Sequence, residues 1–558
     1  MISNLYIFVL YYISIPISLI GYGLFFFALN KNLKISSNYG YAGLTGLLIL
    51  CIYSYLSSLF ISHSELHNFL ILLLGLFCFF YFKFKNNDQN KLLSLLLIVY
   101  FLGFLIFKTH DDFPYYHFNY SYYLTQMPTT MGIGNFNLGL RTPSSIFYLN
   151  SLFYLPITKY FLFQMSAFSI FLFSNIILLN KIFPKNLNNK SNFLTFYYLL
   201  SFIFINIFFY RISEHGTDRS AQILMLILIG EILFFVNFKS IIEKVLSKLF
   251  LLIAIIISLK AFYVLYIVFF SLILFNLNKK FKFKKTFIYL ISNYYFYFLI
   301  ILFILILGTN FINTGCLIYP VNFTCFEEYS WAISKSEVKE LNDWYEQWSK
   351  AGAGPNFRVE NSEVYIEKFN WVSNWINEYF FTKVSDFILG LTILSFIILS
   401  CFSPYAKGVT KYRRNIIFTL TLIVILFLEW FYNHPTLRYG GYCLVASFTF
   451  VLISIKLEKS SLSKDKAKKR VVYLIIFSIV VFMGRNINRI SKEYNQYNYN
   501  PLKNVFYYID ESYFDLDKKM KSLKKAFNDC KSEKTSCKID ERYSVKKISN
   551  FYVFYINK

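Results

Sequence analysis

Apolar runs of about 17 to 25 residues recur from the first residues to about position 483, separated by short polar connections. Each is long enough to cross a hydrocarbon core of roughly 30 Å as a helix. The pattern predicts about fourteen segments: 5–28, 42–62, 68–84, 92–108, 160–180, 194–210, 220–238, 249–259, 261–276, 286–308, 386–402, 416–432, 441–456 and 471–483. Residues 249–276 are too long for one upright pass and short for two, and both flanks are basic, so they read as a hairpin turning at Lys260. The expected fold class is an all-α integral membrane protein.

The connections alternate in charge. Those around Lys31, Lys83, Lys185, Lys244, Lys282, Lys411 and Lys466 hold about 27 basic residues. Those between them, His63 to His67, Thr109 to Thr158, Arg211 to Arg219, Lys260, Thr309 to Ser385 and Asn433 to Gly440, hold about 11. Lys and Arg enrichment marks cytoplasmic loops, so the second set and the N-terminus are expected outside. The start, Met-Ile-Ser-Asn-Leu-Tyr, lacks a basic n-region and a small-residue cleavage site and reads as a retained helix, not a signal peptide.

Composition agrees: 56% of residues are hydrophobic and only 16% charged, well below the roughly one quarter usual in soluble domains. The net charge of +25 lies mostly in short connections without a recognition module, which argues against nucleic acid as a partner. Of eight cysteines, Cys51, Cys78, Cys401 and Cys443 fall in apolar runs and read as small buried side chains. Cys316 and Cys325 share an outer loop, and Cys530 and Cys537 share the tail, so two disulfides are expected on an oxidising face.

Polar chemistry concentrates in the outer connections. Thr109-His110-Asp111-Asp112-Phe113-Pro114-Tyr115-Tyr116-His117 puts two carboxylates just outside a helix end, where a general base could meet a lipid head group. Adjacent carboxylates also repel, which favours a raised pKa at one of them. The same loop continues through Gly132-Ile133-Gly134, which lacks the context of a phosphate loop, to Arg141, whose fork matches phosphate oxygens. Its apolar stretches suggest helices lying on the membrane surface.

Arg211 to Arg219 packs Glu214, His215 and Asp218 between two arginines, either as self-neutralising salt bridges or as a site. Lys260 either snorkels or contacts phosphate. His434-Pro435-Thr436-Leu437-Arg438 adds another cation on this face. Trp331, Trp344, Trp348, Trp371 and Trp375 in the long outer loop either stack on sugars or anchor at the interface.

From about Leu92 to Gly308 these features resemble the core of the GT-C-type polytopic glycosyltransferases, the class of oligosaccharyltransferases, protein O-mannosyltransferases and the lipid A aminoarabinose transferase. An acidic pair opening a large outer loop, a short acidic second outer loop from Glu214 to Asp218, and seven segments in matching order carry the resemblance. The chain departs from the family in having three further segments before its acidic loop. The expected organisation is an N-terminal membrane unit at 1–91, a GT-C-like core at 92–308 with outer loop 109–158, an outer insertion at 309–385, membrane helices at 386–483 and a periplasmic tail at 484–558.

The resemblance implies inverting transfer of a sugar from a polyprenyl-phosphate donor to an envelope glycan, lipid or protein on the periplasmic side of a bacterial inner membrane. Asp111 is the expected acceptor-side base, with Asp112 its neighbour or substitute. His117, Glu214, His215 and Asp218 would position the acceptor or a divalent metal; no other cofactor is expected. Arg141, Arg219, Lys260 and Arg438 would compete for the donor phosphate. The rival readings are a transporter or flippase of lipid-linked substrates, for which Glu231 is the one ionisable residue deep in a segment, a glycan polymerase or ligase, and a non-catalytic assembly protein.

Overall fold

The first three helices, Ile2–Leu29, Tyr39–Ser58 and Glu65–Phe82, touch through glycines, as membrane helices do when small residues let backbones approach. A Cβ on Gly46 would lie 1.8 Å from the carbonyl oxygen of Leu19, and one on Gly21 would lie 1.9 Å from that of Gly75. The computed structural model describes residues 2–29, 38–83, 87–184, 192–237, 242–354, 359–402, 413–458, 465–529, 537–539, 543–548 and 551–556.

Among the described residues, ten helices are long and apolar enough to cross a membrane. They make this a helical membrane protein. Helices Asn87–Phe104, Asn192–Phe208, Ile242–Leu259 and Gly441–Leu457 occupy four further positions where the hydropathy pattern predicts segments. Helices Met165–Ile182, Asn192–Phe208 and Gly216–Asn237 are buried along nearly their whole length. Peripheral helices turn large apolar side chains outward, among them Leu70, Phe77, Ile304, Phe396 and Leu428, the surface a bilayer would cover.

The connections sort onto two faces. On one, His63 donates its backbone N–H to Leu124 O, His117 packs on Gly216, and the Trp375 indole N–H reaches Pro435 O. On the other, Gln89 meets Asn180, and Arg470 reaches Cys401 O. Among the described residues, the basic-poor connections meet on the first face, and helix ends that flank basic-rich connections meet on the second.

Several expectations change. Helices Phe118–Gln126 and Ser145–Leu152 in the first outer loop are buried against the bundle rather than lying exposed on a surface, because Tyr120, Tyr123, Phe147 and Tyr148 pack inward. The hairpin does turn at Lys260, but its second arm begins as a 3-10 run, Ala261–Val268, before helix Phe269–Lys280. The run expected at 286–308 is divided: helix Phe283–Ile291 stops before Asn293, which caps helix Tyr294–Thr314 by accepting from Tyr295 N–H. The short segment expected at 471–483 belongs to a 33-residue helix, Asp465–Tyr497. It continues because Arg489 pairs with Glu493 at 3.1 Å and donates to Leu102 O and Leu105 O, bracing its polar half on the end of helix 87–104.

The tail is not all helical. After helix Glu511–Asp529, strands Cys537–Lys538, Tyr543–Ile548 and Phe551–Ile556 form an antiparallel sheet in chain order, with Tyr543 opposite Ile556. Val553 and Phe554, adjacent and so on opposite faces of the last strand, are both buried. This sheet joins the first outer loop through Met131, which donates to Tyr552 O and accepts from Phe554 N–H. Tyr122 also donates to Asp517 at 2.5 Å, so the tail lies on the same face as that loop. In the insertion, Cys316 is bonded to Cys325 as expected. Cys537 is a disulfide cysteine, and its expected partner, Cys530, lies outside the described residues.

Candidate functional site

Four connections far apart in the sequence place charged groups beside one another on the basic-poor face. Asp112 begins a five-residue π-helical turn, Phe113–His117, with Pro114 at its start, and the turn runs directly into helix 118–126. That geometry brings Tyr116 back to donate its hydroxyl to Asp112 Oδ2 at 3.1 Å. Arg438 Nη1 donates to the same oxygen at 2.8 Å. Burial opposes ionisation of Asp112, but Arg438, His110, His117 and Lys260 outweigh it and hold the carboxyl down at about 2. The raised value expected from the Asp–Asp pair therefore does not apply to Asp112.

Asp111 is placed differently. Its side chain is 83% exposed and pairs with Lys108 at 3.2 Å, turned to solvent while Asp112 turns in. It does not join the cluster.

Arg438 sits in a 3-10 turn, Leu437–Tyr439, held from several sides. Its carbonyl accepts from Gln222 Nε2 at 2.8 Å and Tyr263 Oη at 3.2 Å, while Leu437 N–H reaches Tyr379 Oη at 3.0 Å. The guanidinium lies 4.6 Å from the Trp348 ring centroid and 5.1 Å from that of Tyr439, within the range of cation–π attraction. Its Nε is buried without a hydrogen-bond partner.

A second pair completes the cluster. Asp218 lies in the first turn of helix 216–237, where the helix dipole favours a carboxylate. Lys260 reaches both its oxygens, at 3.0 and 3.1 Å. The Lys260 ammonium is 4.3 Å from the Tyr439 ring centroid, so Lys260 and Arg438 share that ring.

His117 packs on Gly216, whose φ of +45° suits glycine and whose added Cβ would lie 2.5 Å from His117 Cε1. Its Nε2 is buried without a partner, and burial, with the nearby His110, pulls its pKa to about 3. His117 is therefore neutral at pH 7. His215 is also buried and neutral, at about 3, with Nε2 on Phe209 O at 2.7 Å. It braces the loop through that contact.

The remaining candidates lie outside the cluster. Arg141 is buried in a separate clasp, paired with Glu337 at 2.7 Å and donating from Nε to Gly134 O at 2.8 Å. It ties the first outer loop to the insertion helix Lys335–Lys350. Glu214 pairs with Arg211 at 2.8 Å and Arg219 at 3.8 Å, and Arg219 covers the Phe209 and Tyr442 rings. Among the described residues no group of three or more His, Cys, Asp or Glu side chains could hold a metal ion. Asp112 and Asp218 are instead each answered by a cation.

Tyr116, Trp348 and Tyr439 are functional candidates that sequence reasoning did not single out. Trp348 stood among five tryptophans without a mark to separate it, and the other two lay unremarked inside the outer connections Thr109 to Thr158 and Asn433 to Gly440. Two open concavities, of about 520 and 690 Å³, lie elsewhere and border neither Asp112 nor Arg438.

No curated protein and no solved structure matches the chain. Residues 5–445, a span that includes Asp112, Asp218, Lys260 and Arg438, match a family described as a domain of unknown function, DUF8201, and the chain belongs to that family.

Proposed function

We propose that the protein is a GT-C-like glycosyltransferase with fourteen membrane segments, transferring a sugar from a polyprenyl-phosphate donor to an envelope acceptor on the periplasmic face of a bacterial inner membrane. The observation that carries this reading is the convergence of Asp112, Asp218, Lys260 and Arg438 on the face opposite the basic connections. Two carboxylates and two cations beside an aromatic platform are the groups such a transfer needs.

In this reading the donor phosphate takes Lys260 and Arg438 from their carboxylates. A cation there offsets the charge that develops on the leaving oxygen. The acceptor hydroxyl attacks the anomeric carbon and its proton passes to Asp112. The bond from that carbon to the phosphate oxygen breaks, and the electron pair leaves with the polyprenyl phosphate. Asp112 is a poor base while Arg438 holds it, and becomes a better one when phosphate draws Arg438 away. Trp348 and Tyr439 supply ring faces for the sugar or the cations.

Glu231 weighs against a transporter. It is fully buried, in contact with Lys181 and accepting from Tyr41 at 2.7 Å and Tyr198 at 3.4 Å, a tied arrangement rather than a free carrier site.

The test is sugar transfer from a polyprenyl-phosphate donor by the full chain in lipid. Asp112→Asn should lose transfer while Asp111→Asn keeps it. Undiminished transfer in Asp112→Asn would sink the mechanism.

A further inference from the structure

One basic connection is described in full, and it is built differently from a plain turn. Five lysines, Lys279, Lys280, Lys282, Lys284 and Lys285, fall within seven residues that span the last turn of helix Phe269–Lys280 and the first turn of helix Phe283–Ile291. None of the five belongs to an ion pair among the described residues. Four of them, Lys280, Lys282, Lys284 and Lys285, line a concavity of about 690 Å³ together with Phe281 and Tyr289.

Helix Phe283–Ile291 divides its circumference three ways. Thr286 and Leu290, four residues apart, are buried against the protein. Phe283, Phe287 and Ile291, also at four-residue spacing, are exposed at 77%, 53% and 39%. Lys284, Lys285 and Tyr289 fall on the remaining arc, toward the concavity. A helix with an outward apolar stripe and a basic flank lies in the membrane interface with its rings among acyl chains.

We propose that this concavity binds the phosphate head group of an anionic phospholipid in the surrounding bilayer. Positive charge without a countercharge calls for an anion. The apolar stripe on the same nine-residue helix calls for acyl chains beside it, which a soluble polyanion cannot provide. The adjoining helix ends, at Lys280 and Tyr294, place the concavity where spanning helices leave the hydrocarbon. Polybasic segments beside a spanning helix recognise anionic lipid in this way. The site is independent of the Asp112 cluster and of the reaction proposed for it.

The experiment is native mass spectrometry of the full chain, released from micelles containing equal phosphatidylglycerol and phosphatidylcholine. The wild type should retain phosphatidylglycerol preferentially. The triple variant Lys282→Gln, Lys284→Gln, Lys285→Gln should bind it roughly 100-fold more weakly, about fivefold per lysine. The corresponding Lys→Arg triple should retain it, and because all three lysines are exposed the glutamine triple should unfold at the wild-type temperature in phosphatidylcholine. An equal loss in Lys466→Gln, Lys468→Gln, Lys469→Gln, which removes three lysines from another basic connection, would reduce the effect to general charge and overturn the proposal. So would retention of phosphatidylglycerol by the glutamine triple, or its full displacement by inorganic phosphate alone, which would make the ligand a free anion.

Discussion

Replacing Asp112 by Asn keeps the side-chain shape and removes the charge that holds Arg438, so it separates two roles of the carboxylate. The carboxyl sits at about 2 against an ordinary value near 3.9, a difference worth roughly 2 to 3 kcal/mol. Because the folded value is the lower one, this stability is present above about pH 4 and is lost as pH falls through 2. At pH 7 the variant should therefore be less stable by about 1 to 3 kcal/mol, with Arg438 left to Tyr439 and Trp348. The same loss frees Arg438 for phosphate. If Asp112 and phosphate compete for it, a polyprenyl phosphate should bind Asp112→Asn more tightly, by up to about 2 kcal/mol or roughly 30-fold. Transfer should nevertheless fall by roughly 10²- to 10⁴-fold, the usual contribution of a general base. Binding can be followed by tryptophan fluorescence, since Trp348 touches the guanidinium, with Trp348→Phe identifying its share of the signal. Unchanged or weaker phosphate binding in Asp112→Asn would refute the competition even if transfer were lost. Asp111→Asn, which removes only an exposed partner of Lys108, should leave binding, transfer and stability at wild type.

Three other outcomes are expected. His63, His117, His215 and His434 are buried and pulled down to about 3, 3, 3 and 4, so the unfolded chain takes up protons that the folded one does not as pH falls below about 6.5. Each should cost about 1.4 kcal/mol of stability per pH unit in that window, and a thermal unfolding midpoint that stays level from pH 7 to pH 5 would contradict their burial. Gly216→Ala should destabilise by about 1 to 3 kcal/mol, because alanine is strained at φ +45° and its Cβ strikes His117; wild-type stability and transfer would show that this contact is not needed. Cysteine labelling from the two sides should find Asn135, Asp218 and Asn433 outside and Asp88 inside, and an inside Asn135 would overturn the proposed orientation.

The two-faced arrangement was legible because it rests on spacing and local charge. Runs of apolar residues set the helices, alternating basic connections sorted their ends, and Lys260 between two short apolar runs marked a turn. The Cys316–Cys325 bond followed from two cysteines in one polar loop. What was not legible depended on backbone geometry or on distant partners. The division of 286–308 at Asn293 needs a cap that hydropathy does not register. The tail sheet rests on short strands, one of them paired to Met131 far upstream.

The site itself shows why residue type alone misassigns roles. Asp111 and Asp112 are bonded neighbours with the same side chain, yet the π-helical turn sends one to solvent and the other to Arg438, 326 residues away. Arg141 and Arg438 are both partly or fully withdrawn from solvent, yet Glu337 claims the first and Asp112 the second. Electrostatics then fixes what the cluster can do. Asp112 and Asp218 balance Arg438 and Lys260, so an anionic ligand has to exchange places with a carboxylate already there. Affinity is then a difference between two ion pairs rather than the gain from one. In the reading proposed above, that exchange holds the base inactive until the donor is bound, because the cation that binds the phosphate is the one that suppresses Asp112. The shared Tyr439 ring lies against both cations and can hold them in place while their partners change.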